Sequence, residues 1–322
     1  MQDLDKVTKK VQEVFGDIPV YAVGGCVRDT LLKRKPKDFD YCINLEPDDI
    51  EIAVKKAGRR AYLTGKRFGT IGFKVEVDGH WHYIEVTTFR KEVYTKGSRK
   101  PEVTFVTELK EDLSRRDFTI NAIAYTEDGY FDPFGGRLDL LDKKIKAVGI
   151  SKDRFREDAL RMLRAARFAS QLDFDIDPNL IGVIRKMAPS ILDISRERWV
   201  QEIDKLLISD NPENGLIILM QSYLLKYMIP ELYLNFKSPQ FFQETIAEII
   251  KQPKDADIRW AALLYGIGKI FVANFELYMD DMASLPHGHE KIGKEISKGI
   301  STRLKFSNQR QQIINEYSGS IS

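Results

Sequence analysis

The chain has 322 residues, long enough for two or three compact units that each bury a core. Its 43% hydrophobic and 30% charged residues indicate a globular protein and exclude a disordered one. Because 50 Lys and Arg residues nearly balance 48 Asp and Glu residues, overall charge neither supports nor excludes a nucleic-acid partner. Two cysteines, no bilayer-length apolar run and no signal-peptide pattern predict a cytoplasmic protein without membrane contact.

The first half of the chain alternates short strands with turns. Period-2 spacing and β-branched residues predict strands in "VYAVGG", "FDYCIN", "TIGFKVEV", "HYIEVTTF" and "VTFV". Helices are expected at residues 3–15 and 48–57, and in "DFTINAIAY" with Asp117 as N-cap. From about residue 153 the apolar spacing becomes helical. These patterns predict an α/β head followed by an all-helical body.

The stretch "VYAVGGCVRDTLL" runs from a predicted strand through Gly24 and Gly25 into a helix. Paired glycines allow backbone amides to approach a ligand closely, and a helix N-terminus attracts phosphate. Arg28 lies in the first helical turn, where a guanidinium can bind phosphate oxygens. The same pattern also occurs in ordinary tight connections between a strand and a helix.

Asp38 and Asp40 follow in "KPKDFDYC", separated by one aromatic residue. In a strand their side chains point the same way, with Cα atoms ~6.6 Å apart, so both carboxylates can converge on Mg²⁺. Next to the glycine turn, this pair indicates metal-assisted nucleotidyl transfer. The alternative is two solvated acids on an exposed strand. Glu85, in a later strand, is either a third carboxylate or an ordinary strand residue.

Two arginine-rich stretches complete the candidate site. Arg115 and Arg116 precede Asp117 and form either a phosphate clamp or a solvated basic pair. In "FREDALRMLRAARF" a charged residue recurs every third position, so a continuous helix would carry a ridge that winds along ~13.5 Å. Arginine suits phosphates and base edges, whereas pairing of Glu157 with Arg161 would make this an ordinary helix surface. The ridge comprises Asp158, Arg161, Arg164 and Arg167.

Several of these motifs resemble one known family. "GGCVRD" with "DFD", "RRDFTINAIAY", "DPFGGRLDLLDKKIKAVG" and "EDALRMLRAARF" have the order and spacing found in the class II tRNA nucleotidyltransferases. This is the CCA-adding enzyme family, which also includes bacterial poly(A) polymerases. The resemblance covers roughly residues 18–175 and weakens afterwards.

The resemblance implies an α+β fold with a DNA polymerase β-like nucleotidyltransferase head and an all-helical neck, body and tail. The chain departs from the family in being shorter than usual members, so a reduced tail is an expectation for it. The expected boundaries are 1–150 for the catalytic head, 151–205 for the neck and 206–322 for the tRNA-binding body and tail. The implied reaction adds CCA to the tRNA 3′ end from CTP and ATP without a template and releases pyrophosphate.

The resemblance also implies roles for individual residues. Asp38 and Asp40 correspond to the catalytic, Mg²⁺-binding aspartates. Other positions correspond to residues that bind the incoming nucleotide in the family. Those in the head are expected to contact the triphosphate, and those in the neck helix are expected to contact the base. These positions are Gly24, Gly25, Arg28, Arg116, Asp158, Arg161, Arg164 and Arg167.

Two further comparisons refine the expected activity. "FRKEVYTKGSRKPEVTFV" matches the family's flexible loop at full length, which favours CCA or A addition because CC-adding members have a shortened loop. Tyr265 and Gly266 replace the His-Asp pair of some relatives, so no phosphohydrolase metal site is expected, and His287 and His289 are expected at the surface. The alternatives are a poly(A) polymerase, for which a long basic C-terminal extension would be expected, and a non-catalytic RNA-binding protein.

Overall fold

The computed structural model describes residues 2–93, 102–268 and 288–317. The chain divides into two compact units, Met1–Glu157 and Asp158–Ser322. The predicted loop is described only at its two ends, and the side chains of His287 and His289 lie outside the described residues. No helix in the described ranges is long and apolar enough to cross a bilayer.

The first unit is built on strands. The strands are β1 (Val20–Val23), β2 (Phe39–Ile43), β3 (Thr70–Val77), β4 (His80–Thr88), β5 (Arg90–Val93), β6 (Glu102–Phe105), β7 (Ala124–Thr126), β8 (Gly129–Phe131) and β9 (Lys144–Ile145). The helices are α1 (Gln2–Phe15), α2 (Gly25–Leu31), α3 (Pro47–Lys56), α4 (Leu109–Ser114), α5 (Gly136–Leu141) and α6 (Ser151–Glu157). This order confirms the mixed head predicted from the sequence.

Six strands form one sheet in the order β3-β4-β2-β1-β7-β8, and β5 pairs with β6 separately. All neighbours in the large sheet are antiparallel except β2 and β4, which run parallel. Burial alternates along β4: Ile84 and Val86 are buried, whereas Tyr83 and Glu85 are exposed. One face of β4 therefore packs on the core and the other faces solvent.

Helices and cysteines complete the core of the first unit. Helix α1 buries Leu4, Val7 and Val11, which recur at helical spacing. Cys26 and Cys42 are both buried and neither forms a disulfide. Burial raises the pKa of the Cys26 thiol to about 12.

The helix predicted in "DFTINAIAY" is wrong. This stretch forms a single 3₁₀ turn at Thr119–Asn121 and then enters β7. The buried Asp117 carboxylate accepts hydrogen bonds from the Phe118 amide at 2.8 Å and the Asn121 side chain at 3.0 Å, which holds the turn. Pairing of the next residues with β1 outweighs their local helix propensity.

The second unit is helical except for a two-residue strand, β10 (Asp175–Ile176). Its helices are α7 (Leu160–Leu172), α8 (Pro178–Met187), α9 (Arg196–Leu207), α10 (Pro212–Gln221), α11 (Leu224–Met228), α12 (Pro230–Asn235), α13 (Pro239–Lys251), α14 (Ala256–Tyr265), α15 (Gly288–Arg303) and α16 (Asn308–Tyr317). The helical body predicted from residue 153 onward is confirmed.

The predicted continuous helix through "FREDALRMLRAARF" is wrong at one point. Helix α6 ends at Glu157 and α7 begins at Leu160. The Asp158 carboxylate accepts a hydrogen bond from the Leu160 amide at 3.0 Å, which satisfies a donor at the start of α7. The arginine ridge therefore starts at Arg161, and Asp158 lies in the break before it.

Candidate active site

Strands β2 and β4 bring carboxylates to the exposed face of the sheet. In the parallel ladder Asp40 lies directly opposite Glu85, so both side chains point to the same side. Asp38 immediately precedes β2, and all three acids are exposed. Since neighbouring strands lie ~4.8 Å apart, the fold places like charges side by side.

This arrangement shifts the titration of Asp40. Partial removal of the carboxylate from water by neighbouring protein atoms is the main cause that raises its pKa from 3.8 to about 6. The charges of Glu85 and Asp38 add to the increase, and Arg116 opposes it. None of the three carboxylates forms a salt bridge or side-chain hydrogen bond with another described residue. The ionised cluster therefore lacks the counter-charge that a bound cation would supply.

The donor chemistry of this cluster fits a hard divalent cation, which prefers carboxylate oxygens. Within the described ranges, no three acidic, thiol or imidazole side chains form a complete ligand set. An ion bound by Asp38 and Asp40 would therefore take further ligands from water or a phosphate-bearing substrate. Magnesium in particular commonly keeps such ligands.

The turn before α2 explains the first glycine of the Gly-Gly pair. Gly24 has φ +74° and ψ −131°, a backbone conformation that disfavours residues with a side chain. A Cβ added at Gly24 would lie 3.1 Å from Nη1 of Arg116. The glycine thus permits both the turn and the close approach of that guanidinium.

Arg28 is oriented by a chain of hydrogen bonds. Its Nη1 donates to Oδ1 of Asn121 at 2.7 Å, and its Nε donates to Asp29 at 2.8 Å. The Asn121 amide in turn donates to Asp117, the carboxylate that holds the 3₁₀ turn. The side chain of Arg28 is only 11% exposed, so this network limits its conformations. Asn121, which no sequence pattern singled out, therefore orients the side chain of Arg28.

Arg116 is held by a buried carboxylate, Asp112, on α4. The Asp112 side chain is fully buried and lies 2.8 Å from Nη2 of Arg115 and 3.3 Å from Nη2 of Arg116. Burial alone would raise the pKa of Asp112, but the two guanidinium charges outweigh it and lower that pKa. The pair Arg115–Arg116 is thus anchored rather than freely solvated. The spacing of three and four residues from Asp112 was the available sequence signal.

The predicted base-recognising residues lie in the second unit and are also engaged. Oδ2 of Asp158 accepts from Arg198 on α9 at 2.7 Å, so both carboxylate oxygens have partners. Arg161 is 8% exposed. Arg164 is half-buried and lies 3.9 Å from Glu202, which also contacts Arg167.

Arg167 has the densest surroundings of this group. Its Nε lies 2.5 Å from Oε2 of buried Glu202, and its Nη1 donates to Gln171 at 2.9 Å. The guanidinium also stacks 3.9 Å from the ring centre of Phe168. Arg167 is therefore fixed between α7 and α9, and Glu202 is a second residue that sequence reasoning did not find.

Comparison with family models supports the two-part organisation. "Poly A polymerase head domain" matches residues 20–146, and "Probable RNA and SrmB- binding site of polymerase A" matches residues 173–234.

Curated relatives are named as CCA-adding enzymes. The protein of Levilactobacillus brevis is 44% identical over 209 residues, which cover 64% of this chain and 51% of the relative. That of Limosilactobacillus reuteri is 44% identical over 223 residues, covering 69% and 53% respectively. The chain thus spans about half the length of these relatives.

Solved structures give the same fold. The Bacillus stearothermophilus CCA-adding enzyme in complex with CTP matches with a TM-score of 0.59 and 29% identity, covering 99% of this chain and 82% of that one. A CCA-adding enzyme complexed with ATP matches with a TM-score of 0.65, 22% identity and coverage of 99% and 70%, which supports the fold alone.

Proposed function

We propose that the chain adds CCA, or the terminal A, to the 3′ end of tRNA. The proposal follows from its family, because the chain belongs to the class II tRNA nucleotidyltransferases. In this reaction the RNA 3′ oxygen forms a bond to the α-phosphorus of CTP or ATP. The bond between the α-phosphorus and the oxygen that links it to the β-phosphorus breaks, and pyrophosphate leaves. These substrates would place the protein in the cytoplasm.

The observation that carries the proposal is the unpaired carboxylate cluster at Asp40. Partial burial of Asp40 and the neighbouring charges of Glu85 and Asp38 raise its pKa to about 6, with Arg116 as an opposing charge, and this supports a site that favours an added cation. The family implies use of a divalent metal, and we propose Mg²⁺, bound by Asp38 and Asp40, with Glu85 beside them. When bound, the metal would stabilise negative charge on the attacking and leaving oxygens.

The basic residues of the first unit would bind the triphosphate. Arg28 and Arg116 are each pre-oriented, by Asn121 and Asp112 respectively, so little conformational freedom is lost on binding. Gly24 and Gly25 would let the phosphates approach the backbone closely. The two guanidinium groups would thus neutralise phosphate charge and help to align the α-phosphate.

The second unit would supply nucleotide selection. Cytosine and adenine both present an amino donor beside a ring-nitrogen acceptor, whereas uracil and guanine present the reverse pattern. In our proposal Asp158 accepts from the amino group, Arg161 donates to the ring nitrogen, and Arg164 and Arg167 complete the recognition surface. A mismatched base would leave polar groups unpaired, which costs about 1–3 kcal/mol each.

A primer-extension experiment tests the function. The protein is incubated with tRNA that ends before the first C or with tRNA that ends in CC, with CTP, ATP, UTP or GTP singly and CTP with ATP together. Addition of CCA to the first tRNA supports a CCA-adding enzyme, and extension only of the second by one A supports an A-adding enzyme. The Asp40→Asn variant provides the matched control without the catalytic carboxylate.

The same gel separates the alternative suggested by the description of the first family model. A poly(A) polymerase would add long A tails to either RNA and would not require CTP. RNA binding without extension under any nucleotide condition would contradict the proposed activity and favour a non-catalytic RNA-binding protein.

A further inference from the structure

The exposed face of β4 continues away from the carboxylates as an aromatic surface. Trp81, Tyr83 and Glu85 are exposed and point to the same side, while the intervening His82 is half-buried and Ile84 is buried. Trp81 is 63% exposed and Tyr83 is 46% exposed, unusually high values for large aromatic side chains. Trp81 and Glu85 are four residues apart, so the surface extends ~13 Å from the acids.

A glycine on β3 allows this aromatic surface to form. Gly72 lies opposite Glu85 in the register, and a Cβ added there would lie 2.1 Å from the Tyr83 hydroxyl oxygen. Without that Cβ, Tyr83 extends over β3 towards Tyr62, with ring centres 5.7 Å apart. Tyr62 itself pairs with Gly72 across an isolated β-bridge. The glycine therefore serves packing rather than chain flexibility.

Three cations surround the outer part of this surface. Nη1 of Arg59 donates to the Lys74 carbonyl at 3.0 Å, and the Arg60 guanidinium lies 5.3 Å from the Tyr62 ring centre. Nε of Arg59 is buried without a hydrogen-bond partner in the described part of the chain. A cavity of about 360 Å³ lies here, lined by Gly58, Arg59, Arg60, Tyr62, Lys74 and Trp81.

The charges of this cavity differ from those of the neighbouring acids. Its lining contains three cations and no acid, while Glu76, opposite Trp81 in the register, is the adjacent carboxylate. Arginine and lysine bind phosphates, and an exposed indole offers a stacking surface for any base. Positive charge beside exposed aromatic rings is the composition expected of a single-stranded nucleic-acid site.

We propose that this surface, termed the Trp81 surface and defined by Arg59, Arg60, Tyr62, Lys74 and Trp81, binds the single-stranded 3′ end of the RNA substrate. The inference rests on the proposed function and specifies where that substrate lies on the first unit. A base stacks on Trp81 and the flanking phosphates contact the three cations. The strand then continues along β4 towards Asp40.

The distance from the carboxylates favours RNA over a free nucleotide. A nucleotide held at Trp81 would lie ~13 Å along the strand from Glu85, too far for its α-phosphate to meet a metal bound at Asp40. A polymer can occupy the Trp81 surface and still present its 3′ oxygen at the acids. Continuity of one sheet face with the candidate active site therefore supports the assignment.

Tryptophan fluorescence tests binding without requiring catalysis. The chain has three tryptophans, and Trp199 and Trp260 are 1% and 0% exposed, so Trp81 is the accessible fluorophore. We expect saturable, salt-sensitive quenching by tRNA ending in CC and by a short single-stranded RNA ending in CC. The double variant Arg60→Glu/Lys74→Glu should weaken this binding by at least ~10-fold, because several phosphate contacts are lost.

Two fluorescence results would overturn the inference. Either RNA binds without changing Trp81 fluorescence, or CTP alone quenches as strongly as RNA, which would identify a free-nucleotide site. Quenching by RNA in a protein that shows no nucleotide addition would support the Trp81 surface while contradicting the proposed function. The two claims can therefore fail separately.

Steady-state kinetics supply the second test. Trp81→Ala should raise KM for tRNA by ~5- to 150-fold, the equivalent of one lost stacking contact of about 1–3 kcal/mol. The kcat and the KM for CTP should remain near wild type. Phe131→Ala, which removes an exposed aromatic residue on β8, serves as the control. An unchanged KM for tRNA in Trp81→Ala would overturn the inference.

Discussion

The predicted functional acids of the two units differ in how their charges are balanced. In the first unit Asp38, Asp40 and Glu85 form no ion pair with a described residue, and the pKa of Asp40 is raised. In the second unit Asp158 pairs with Arg198, and Glu202 pairs with Arg167. Unpaired like charges indicate that a ligand must supply the counter-charge. Paired charges instead hold side chains in one arrangement before any ligand arrives.

The largest effect should come from removing the central unpaired acid. Asp40→Asn should reduce nucleotide addition by at least ~1,000-fold, because several kcal/mol of metal-assisted charge stabilisation are lost. The same variant should unfold less readily than wild type at pH 7 without metal, by up to ~1 kcal/mol once solvent screening of this exposed group is considered. Single-turnover extension and thermal unfolding measure the two effects.

The stability gain should depend on pH in a defined direction. Because the folded pKa of Asp40, about 6, exceeds its ordinary 3.8, the ionised carboxylate destabilises the folded protein above about pH 6. The difference between variant and wild type should vanish as the pH falls to about 4. Added Mg²⁺ should stabilise wild type more than the variant. If Asp40→Asn is less stable than wild type at pH 7, with both proteins measured without metal, the repulsion argument is wrong.

In the second unit, breaking a pair should have the opposite effect on stability. Glu202→Gln leaves Arg167 buried without its counter-charge, so we expect about 3–5 kcal/mol of destabilisation. Glu231→Gln is the matched control, since it breaks a more exposed pair with Arg303 and should cost no more than ~1 kcal/mol. Equal effects of the two variants in urea unfolding would show that burial of the Glu202–Arg167 pair adds nothing to its contribution to stability.

Asp158 tests whether a paired charge can also recognise substrate. Asp158→Ala should relax selection against UTP and GTP by ~5- to 150-fold and weaken use of CTP and ATP, because about 1–3 kcal/mol of discrimination is lost. Arg198→Ala keeps the carboxylate and should preserve the ranking of the four nucleotides. Single-nucleotide incorporation measures both. If Asp158→Ala lowers all rates but keeps the wild-type ranking, its role is structural.

The smallest effect concerns the acid limb of the pH–rate profile. Glu85→Gln removes a like charge opposite Asp40 and should lower the pKa of Asp40. The pH at which kcat/KM falls to half should therefore move to lower pH, by less than ~1 unit. A uniform loss of rate in the variant would not change the pH at which kcat/KM falls to half. A shift to higher pH would show that Glu85 does not act on Asp40 by repulsion.

Local sequence patterns predicted the strands correctly but failed where contacts with other elements decide the structure. Strict alternation in "HYIEVTTF" identified the strand that carries Glu85, and Asp40 lies in β2 as predicted. Asp38 was predicted in the same strand but lies in the bend just before it. The "DFTINAIAY" helix failed because pairing with β1 and the Asp117 hydrogen bonds outweighed helical spacing. The break before α7 was missed because Asp158 satisfies a backbone donor that apolar periodicity does not reveal.

Partners distant in sequence were beyond reach of such patterns. Arg28 meets Asn121 across 93 positions, and Asp158 meets Arg198 across 40. Such contacts depend on how strands and helices pack, which no local spacing encodes. Asp112 differs, because its spacing of four residues from Arg116 was visible, whereas its complete burial was not.

The two buried thiols give the first unit its own reporter of opening. Cys26 and Cys42 are the only cysteines in the chain, and both lie in the first unit. Their raised pKa values and burial make them inert to alkylation while that unit stays folded. The rate of thiol labelling under native conditions therefore follows the opening of the first unit, where both thiols lie. An alkylating reagent and mass spectrometry can time that event without any engineered probe.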